Sequence, residues 1–166
     1  MVVIGIDPGT AITGYGLIEE QNNQKIQLID SGAIRTDAFL PQEKRLHKLY
    51  KSIRQILKTY RPTSGAVEML FFQKNVRSAL SVGQARGIVL LALAQENINV
   101  YEYNPLDVKV AVTGYGGAEK GQVQRMVQTI LELPQIPEPD DVADAIAVAL
   151  CHLQNWKFEM LKKENE

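Results

Sequence analysis

The first third of the chain alternates short apolar runs with polar turns, a pattern typical of β-strands. Residues 2–6 form an apolar run, and residues 12–19 and 26–35 form two further candidate strands. Only short polar links separate the three, an Asp-Pro-Gly-Thr turn and a loop containing Gln-Asn-Asn. We therefore predict that the three strands run antiparallel, because such short links cannot form a parallel crossover.

The rest of the chain alternates strands with helices. Pro41 opens a predicted helix that ends before Arg61, and residues 65–70 and 99–103 are predicted strands. The other predicted helices span about 78–96, a short stretch from Pro105, 118–133, and about 140–156. This order indicates an α/β fold: a five-stranded mixed sheet, three antiparallel strands and then parallel ones, flanked by helices on both faces. We expect a single domain over residues 1–166 with a frayed tail after about 156.

Composition excludes several classes of protein. No apolar run reaches the length of about 20 residues that a membrane helix needs, and no leader segment is visible, so we expect a cytoplasmic protein without a membrane partner. The single cysteine, Cys151, excludes an internal disulfide and a zinc site of several thiolates. His47 and His152 are expected at the surface and at the edge of the core. The net charge of -1 does not decide for or against a nucleic-acid partner.

The basic residues are unevenly distributed. Seven lysines and arginines, and no Asp or Glu, lie between Lys44 and Arg61. Their helical spacing is expected to scatter them around a solvated face. The other cations of interest flank turns and helix starts: Lys74, Arg77, Arg86, Lys109, Lys120 and Arg125.

Several carboxylates stand where the pattern is otherwise apolar. Asp7 follows the first strand, Glu68 lies inside the fourth, and Asp140, Asp141 and Asp144 open the last helix. A turn explains Asp7 equally well, an N-cap explains Asp140, and the helix dipole favours Asp141. Glu68 has no such local explanation. Asp141 and Asp144 share a helix face, and Asp140 and Asp144 nearly do, so spacing alone does not choose between the pairs.

Convergence of these carboxylates would require positive charge, because like charges repel and raise one another's pKa values. An all-oxygen cluster without histidine or thiolate suits a hard ion such as Mg²⁺ or Mn²⁺. Two such ions can hold a phosphodiester, lower the pKa of a bound water and stabilise the leaving oxygen. The pattern therefore indicates metal-dependent phosphodiester chemistry, provided that the strands of Asp7 and Glu68 are neighbours beneath the last helix.

Five stretches carry a family resemblance: GIDPGTAITGYG, VEMLFFQKN, SALSVGQARG, GAEKGQV and PDDVADAIAVALCH. Together they resemble the RuvC family of bacterial Holliday-junction resolvases, nucleases with a ribonuclease-H-like fold, from Val2 to about Leu153. The resemblance leaves Asp140 as a helix cap. It implies Mg²⁺ as cofactor, with Mn²⁺ able to substitute and two ions per site, and it implies four residues that are both catalytic and metal-binding: Asp7, Glu68, Asp141 and Asp144.

The resemblance also implies a mode of action. Members of the family act as homodimers that nick two opposed strands of a four-way DNA junction symmetrically, leaving 5′-phosphate and 3′-hydroxyl ends, in recombination and DNA repair. A two-fold dimer suits a substrate of approximate two-fold symmetry. The long helix from about Ser78 is the candidate interface, and the branch-migration proteins RuvA and RuvB are the expected partners.

The expected DNA contacts follow the fourth strand. The resemblance makes Phe71 a wedge or stacking platform for a base, with Phe72 beside it, although packing of one ring in the core and the other on a loop explains the pair nearly as well. A polar run at a helix start predicts further phosphate contacts at Lys74, Asn75, Arg77 and Ser78.

Four more residues have both a functional and a local interpretation. The resemblance adds Lys109 and Lys120 as cations that bind the DNA backbone or stabilise the transition state, whereas both also fit solvated helix positions. Thr10 and Thr13, beside Asp7, are candidate phosphate contacts or turn caps.

Three other functions are compatible with parts of the sequence. A sugar-kinase or actin-like nucleotide binder shares the Asp-x-Gly-Thr turn but needs a duplicated domain. A related nuclease of the YqgF type, acting on RNA precursors, resembles the first strand but lacks the FFQKN and SALSVGQARG stretches. A junction-binding module without catalysis would not need four intact carboxylates.

Overall fold

The chain folds around one mixed β-sheet in the computed structural model, which describes residues 1–22, 24–69 and 76–164, the side chains of 76–78 and 159–164 excepted. The strands are β1 (Val2–Asp7), β2 (Ile12–Glu20), β3 (Ile26–Arg35), β4 (Ser64–Glu68) and β5 (Asn99–Tyr103). Their order in the sheet is β3-β2-β1-β4-β5. β1, β2 and β3 pair antiparallel, whereas β4 pairs parallel with β1 and β5 with β4. The predicted fold class is confirmed.

Helices cover both faces of this sheet. They are α1 (Gln42–Tyr60), α2 (Val76–Gln95), α3 (Pro105–Thr113), α4 (Lys120–Ile130) and α5 (Asp140–Glu164). One apolar core lies between the sheet and α1 with α2, and the other lies between the sheet and α5 with α3 and α4. Within the described ranges, no helix is both long enough and apolar enough to cross a membrane.

Some predicted boundaries were wrong. β4 ends at Glu68, whereas the strand was predicted to continue to residue 70. α4 is shorter than predicted because Glu119 caps its start in a capping box with Gln122, and a turn follows Ile130. α5 continues to Glu164, beyond the predicted end near residue 156. The stretch 157–164 contains neither Gly nor Pro and consists mostly of good helix formers, so nothing in it ends the helix.

α5 docks on the sheet by direct backbone contact at glycines. A Cβ on Gly14 would lie 1.9 Å from the carbonyl oxygen of Asp141, and one on Gly5 would lie 2.0 Å from that of Ala145. Gly16 makes a similar close contact with Ile146. The helix therefore lies closer to β1 and β2 than packing through side chains would allow, and this contact fixes the position of its first turn.

His152 is a fully buried residue on α5, at 1% exposure, and not the core-edge residue that the sequence suggested. Its Nδ1 lies 2.8 Å from the Tyr103 hydroxyl and its Nε2 lies 2.9 Å from the Ser64 hydroxyl. The ring also stacks on Tyr101 at a centroid distance of 4.4 Å. Burial lowers the pKa of His152 to about 4. The neutral imidazole therefore links α5 to β4 and β5.

We expect His152 to make the fold less stable as the pH falls from about 6.5 to about 4. An unfolded His takes up its proton near 6.5, whereas the folded one does so only near 4, so the unfolded state binds more protons in this interval. The difference corresponds to about 3 kcal/mol of unfolding free energy. Urea unfolding of the parent and of His152→Gln at a series of pH values measures it.

The comparison of the two proteins is necessary because the raised pKa values of Asp7, Glu68 and Asp144 act in the opposite direction. Only the difference between parent and variant isolates the contribution of the imidazole to the pH dependence of the unfolding free energy. If the unfolding free energies of the two proteins had the same slope against pH, the lowered pKa of His152 would be contradicted.

Candidate active site

Two carboxylates lie side by side at the ends of β1 and β4. The parallel ladder pairs Ile6 with Val67, so Asp7 and Glu68 occupy the next level and point toward the α5 face. The charge of Glu68 raises the pKa of the Asp7 carboxyl, so the two groups lie close together. The condition that these strands be neighbours is therefore met.

The first turns of α5 bring in two more carboxylates. Gly14 lies opposite Asp7 in the β1–β2 ladder, and the carbonyl of Asp141 sits directly above it. Asp144 follows about one turn later on the same helix. The negative charges of Asp141 and Asp144 both act on Asp7. Four carboxylates from three elements thus converge at one edge of the sheet.

This convergence raises the pKa values of several members. Burial, followed by the charges of Glu68, Asp144 and Asp141, raises the pKa of Asp7 to about 8. Burial and the charge of Asp144 raise the pKa of Glu68. Burial also raises the pKa of Asp144, although Lys120 acts against it. The cluster therefore holds more negative charge than its surroundings stabilise.

Lys120 is a cation in contact with this cluster. Its Nζ lies 2.8 Å from Oδ2 of Asp144 and 3.3 Å from Oδ2 of Asp140. Burial alone would lower the pKa of Lys120, but the hydrogen bonds and charges of these two aspartates raise it. The ammonium group is therefore fully charged at neutral pH and partly neutralises the cluster.

Asp140 does not cap α5, which corrects the interpretation from the sequence. It is the first residue within the helix, and the amide of Val142 donates to the carbonyl of Pro139. The side chain of Asp140 is 65% exposed, pairs with Lys120 and accepts a hydrogen bond from Gln124 at 3.1 Å. Its partners lie on α4, so a local sequence pattern could not reveal them.

A cleft of about 260 Å³ opens beside the carboxylates. Lys109 on α3 and Lys120 on α4 line it together with Glu68 and Asp144, and the rest of the wall is largely apolar: Pro105, Val108, Val123 and Ala147. The structure thus brings both predicted cations to the carboxylate cluster.

Thr10 and Thr13 use their hydroxyls inside the protein. Thr13 is 0% exposed, and its hydroxyl donates to the carbonyl of Gly9 at 2.6 Å and accepts from the Gly9 amide at 3.2 Å. The Thr10 hydroxyl lies 2.7 Å from both the carbonyl and the hydroxyl of Ser81 on α2. The structure therefore gives both residues the alternative role of fixing the turn after β1.

The other predicted DNA contacts cannot be placed. Phe71, Phe72, Lys74 and Asn75 lie outside the described residues. Arg77 and Ser78 belong to the first turn of α2, but their side chains lie outside the description. Their roles stay predictions.

The donor set fits a hard divalent cation, since it consists of carboxylate oxygens and carries excess negative charge. In the side-chain arrangement described, however, no group of three or more His, Cys, Asp or Glu side chains could hold a metal ion. The raised pKa of Asp7, about 8, favours its protonated form at neutral pH, and Lys120 binds Asp144. Metal binding would therefore release a proton and reorient these side chains.

Gly14 lies directly beneath the first turn of α5, and the sequence analysis did not single it out. Gly14 and Gly16 alternate on one face of a strand, and a glycine within a strand often marks close approach of another backbone. That signal was present in the sequence.

Comparison with known proteins identifies relatives that match nearly the whole chain. A family model described as "Crossover junction endodeoxyribonuclease RuvC" matches residues 3–152. A protein of that description from Desulforamulus reducens is 59% identical over 154 residues, covering 93% of this chain and 94% of the relative. Another, from Caldicellulosiruptor saccharolyticus, is 50% identical over 166 residues, covering 100% of this chain and 99% of the relative.

Solved structures agree with this match. The RuvC structure from Thermus thermophilus has a TM-score of 0.88 at 36% identity and covers 96% of this chain and 97% of its own. The same organism's RuvC in complex with a Holliday junction substrate has a TM-score of 0.87 at 34% identity, covering 95% and 96%. The chain therefore belongs to the RuvC family of crossover junction endodeoxyribonucleases.

Proposed function

We propose that this chain is a Mg²⁺-dependent endonuclease that resolves four-way DNA junctions in recombination and DNA repair. Membership of the RuvC family supports the activity, and the relative solved with a Holliday junction supports the substrate. Family membership also supports RuvA and RuvB as partners and the cytoplasm as the location. The observation that supports this proposal most directly is the convergence of four carboxylates beside two lysines at one edge of the sheet. These residues are Asp7, Glu68, Asp141 and Asp144 with Lys109 and Lys120.

The four carboxylates would hold Mg²⁺, in our proposal two ions, with Mn²⁺ as a substitute. Such ions, when bound, lower the pKa of a water molecule and neutralise charge on a phosphodiester. Lys109 and Lys120 line the adjacent cleft, where their ammonium groups can bind phosphate oxygens and stabilise the charge that develops on them. Cleavage of the bond between phosphorus and the 3′ oxygen leaves a 5′-phosphate and a 3′-hydroxyl.

The decisive experiment is incubation with a synthetic four-way junction that has a mobile core and immobile arms. We expect paired, symmetric nicks in two opposed strands with Mg²⁺ or Mn²⁺, none with a chelator, and none in a linear duplex of the same sequence. Cleavage without a divalent ion would contradict the proposal. Cleavage of RNA precursors in place of junctions would favour the YqgF-type alternative.

We propose α2 as the interface of a homodimer. One face of this helix is buried against the sheet: Ala85, Val89, Ala92 and Leu93. The outer face is also apolar, with Leu80 at 66% and Leu91 at 48% exposure. Apart from chain neighbours and the backbone of α2 itself, no atom of the described residues lies within 4 Å of a Cβ placed on Gly83 or Gly87, so a second helix has room to approach between the two leucines. An exposed apolar face of this kind is typical of a protein–protein interface.

Leu91→Lys is expected to convert the dimer into a monomer at micromolar concentration. An unpaired charge buried in an interface costs about 3 kcal/mol or more, which weakens dimerisation by at least about 100-fold. Light scattering after size-exclusion chromatography measures the mass. Leu106→Lys, at an exposed leucine of α3, is the matched control and should stay dimeric. A Leu91→Lys dimer of unchanged affinity would rule out this face.

A further inference from the structure

The outer face of α1 carries a row of exposed lysines. Lys44, Lys48, Lys51 and Lys58, hereafter the lysine stripe, occupy positions i, i+4, i+7 and i+14, with exposed Gln55 at i+11. At about 3.6 residues per turn they lie within about 40° of one line, which is about 21 Å long. The stripe faces directly away from the buried side of the helix: Leu49, Ile53 and Leu57. The basic residues of α1 lie on its solvated side as expected, and four of the lysines form this row while Arg45 and Arg54 lie on the flanks.

The carboxylates that the structure describes do not pair with this charge. Among the described residues, no ion pair joins a lysine of the stripe to a carboxylate, whereas Arg54 on the flank of α1 pairs with Glu96 at 2.7 Å. Lysines at i, i+3 and i, i+4 repel each other and destabilise an isolated helix. An arrangement that is unfavourable in the free protein becomes favourable when a polyanion binds.

The stripe begins at the catalytic edge of the sheet. The guanidinium Nε of Arg45 donates to the Thr36 hydroxyl at 2.9 Å. That hydroxyl in turn donates to the carbonyl of Thr10, in the turn that follows Asp7. Lys44 therefore lies near the same edge as the carboxylate cluster, and the stripe runs away from that edge along the outside of the molecule.

Open grooves widen the basic surface on both sides of the stripe. One, of about 700 Å³, lies between α1 and the edge strand β3, and exposed Arg35 and Lys48 line it. The other, of about 460 Å³, is lined by Lys51, Arg54 and Lys58. The basic surface is therefore broader than a single row of side chains.

We propose that the lysine stripe binds the sugar–phosphate backbone of one duplex arm of the junction where that arm leaves the catalytic edge. This inference rests on the proposed function. A strand of B-DNA presents a phosphate about every 3.4 Å along the axis, so the stripe spans roughly six phosphate intervals. Contacts of this type position the duplex without reading its sequence. A row of lysines that begins near the catalytic edge favours DNA over an acidic protein as the occupant.

The double variant Lys48→Gln/Lys51→Gln tests the proposal. We expect the Kd for an immobile junction to rise on the order of tenfold, and the slope of log K against log salt concentration to decrease in magnitude by about 2. The cleavage rate at saturating junction should not change, because neither lysine lines the catalytic cleft. Lys25→Gln/Lys157→Gln removes the same charge from side chains that pair with Glu132 and Glu20 elsewhere on the surface, and it should leave the slope unchanged.

Hydroxyl-radical footprinting supplies a second readout. The parent protein should protect backbone positions along one arm as well as those at the crossover, and the double variant should lose only the arm protection. An unchanged salt slope and arm footprint, in a variant that still cleaves junctions, would overturn the stripe proposal and leave the function intact. Failure of the parent protein to cleave junctions would instead overturn the proposed function.

Discussion

Replacement of Asp7 by Asn is expected to lower junction cleavage by at least about 1000-fold, which corresponds to about 4 kcal/mol of transition-state stabilisation. Asp7 is the residue on which the charges of Glu68, Asp141 and Asp144 all act, so it lies at the centre of the cluster. An amide is a much weaker ligand for a hard cation than a carboxylate. Junction binding should stay within about threefold of the parent, because the backbone contacts are made by cations. Single-turnover cleavage and a binding titration measure the two quantities.

Asp140→Asn is the matched control, since the same change is made at an aspartate that adjoins the cluster in sequence but is not one of its four members. Asp140 contacts Lys120 and Gln124 but is mostly exposed, and we expect cleavage to change by less than about threefold. Asp7→Asn should also be at least as stable as the parent in the presence of a chelator, because burial and neighbouring acids destabilise the charged form of Asp7. Lost junction binding in a folded Asp7→Asn variant would contradict the assigned role.

The sheet and the central carboxylates follow from local patterns in the sequence. The short links between the first three strands determine the antiparallel half, and the strand–helix alternation determines the parallel half. Glu68 was identifiable because a charged residue in an otherwise apolar strand has no local explanation. Asp7 could be predicted as a site residue only together with Glu68, because a turn after the strand explains Asp7 equally well when it is considered alone.

What the sequence did not reveal depends on contacts between distant elements. Asp140 was assigned as a cap because capping is a local pattern, yet its partners lie on α4. The burial of His152 depends on β4 and β5, which bring Ser64 and Tyr103 to its two ring nitrogens. The roles of Thr10 and Thr13 could not be separated without α2 and the Gly9 backbone. Composition also concealed the lysine stripe, because only the angular position of each lysine on α1 shows it.

Gly14→Ala is expected to lower kcat about 100-fold through displacement of α5, since a misplacement of about 1 Å can have an effect of that size. The new Cβ would lie 1.9 Å from the carbonyl oxygen and 2.3 Å from the carbonyl carbon of Asp141, and 2.9 Å from the amide nitrogen of Val142. All three are backbone atoms, so no change of rotamer relieves the overlap. The first turn of α5 must move away from β2 and carry Asp141 and Asp144 away from Asp7.

Two controls separate displacement of the site from general loss of stability. Val127→Ala truncates a fully buried side chain of α4 and should lower the free energy of unfolding by about 2 kcal/mol without reducing kcat. Gly121→Ala introduces the same methyl group as Gly14→Ala, but the nearest atom is the terminal Nη1 of Arg125 at 3.5 Å, so cleavage should not change.

We expect Gly14→Ala to be destabilised by about 1–3 kcal/mol, which is close to the effect of Val127→Ala. If stability alone limited cleavage, these two variants would lose activity equally when assayed well below their Tm. If the backbone contact at Gly14 positions the carboxylates, only Gly14→Ala should lose kcat, and its cleavage should require a higher Mg²⁺ concentration. Parental kcat and Mg²⁺ dependence in a folded Gly14→Ala variant would show that the cluster does not depend on this contact.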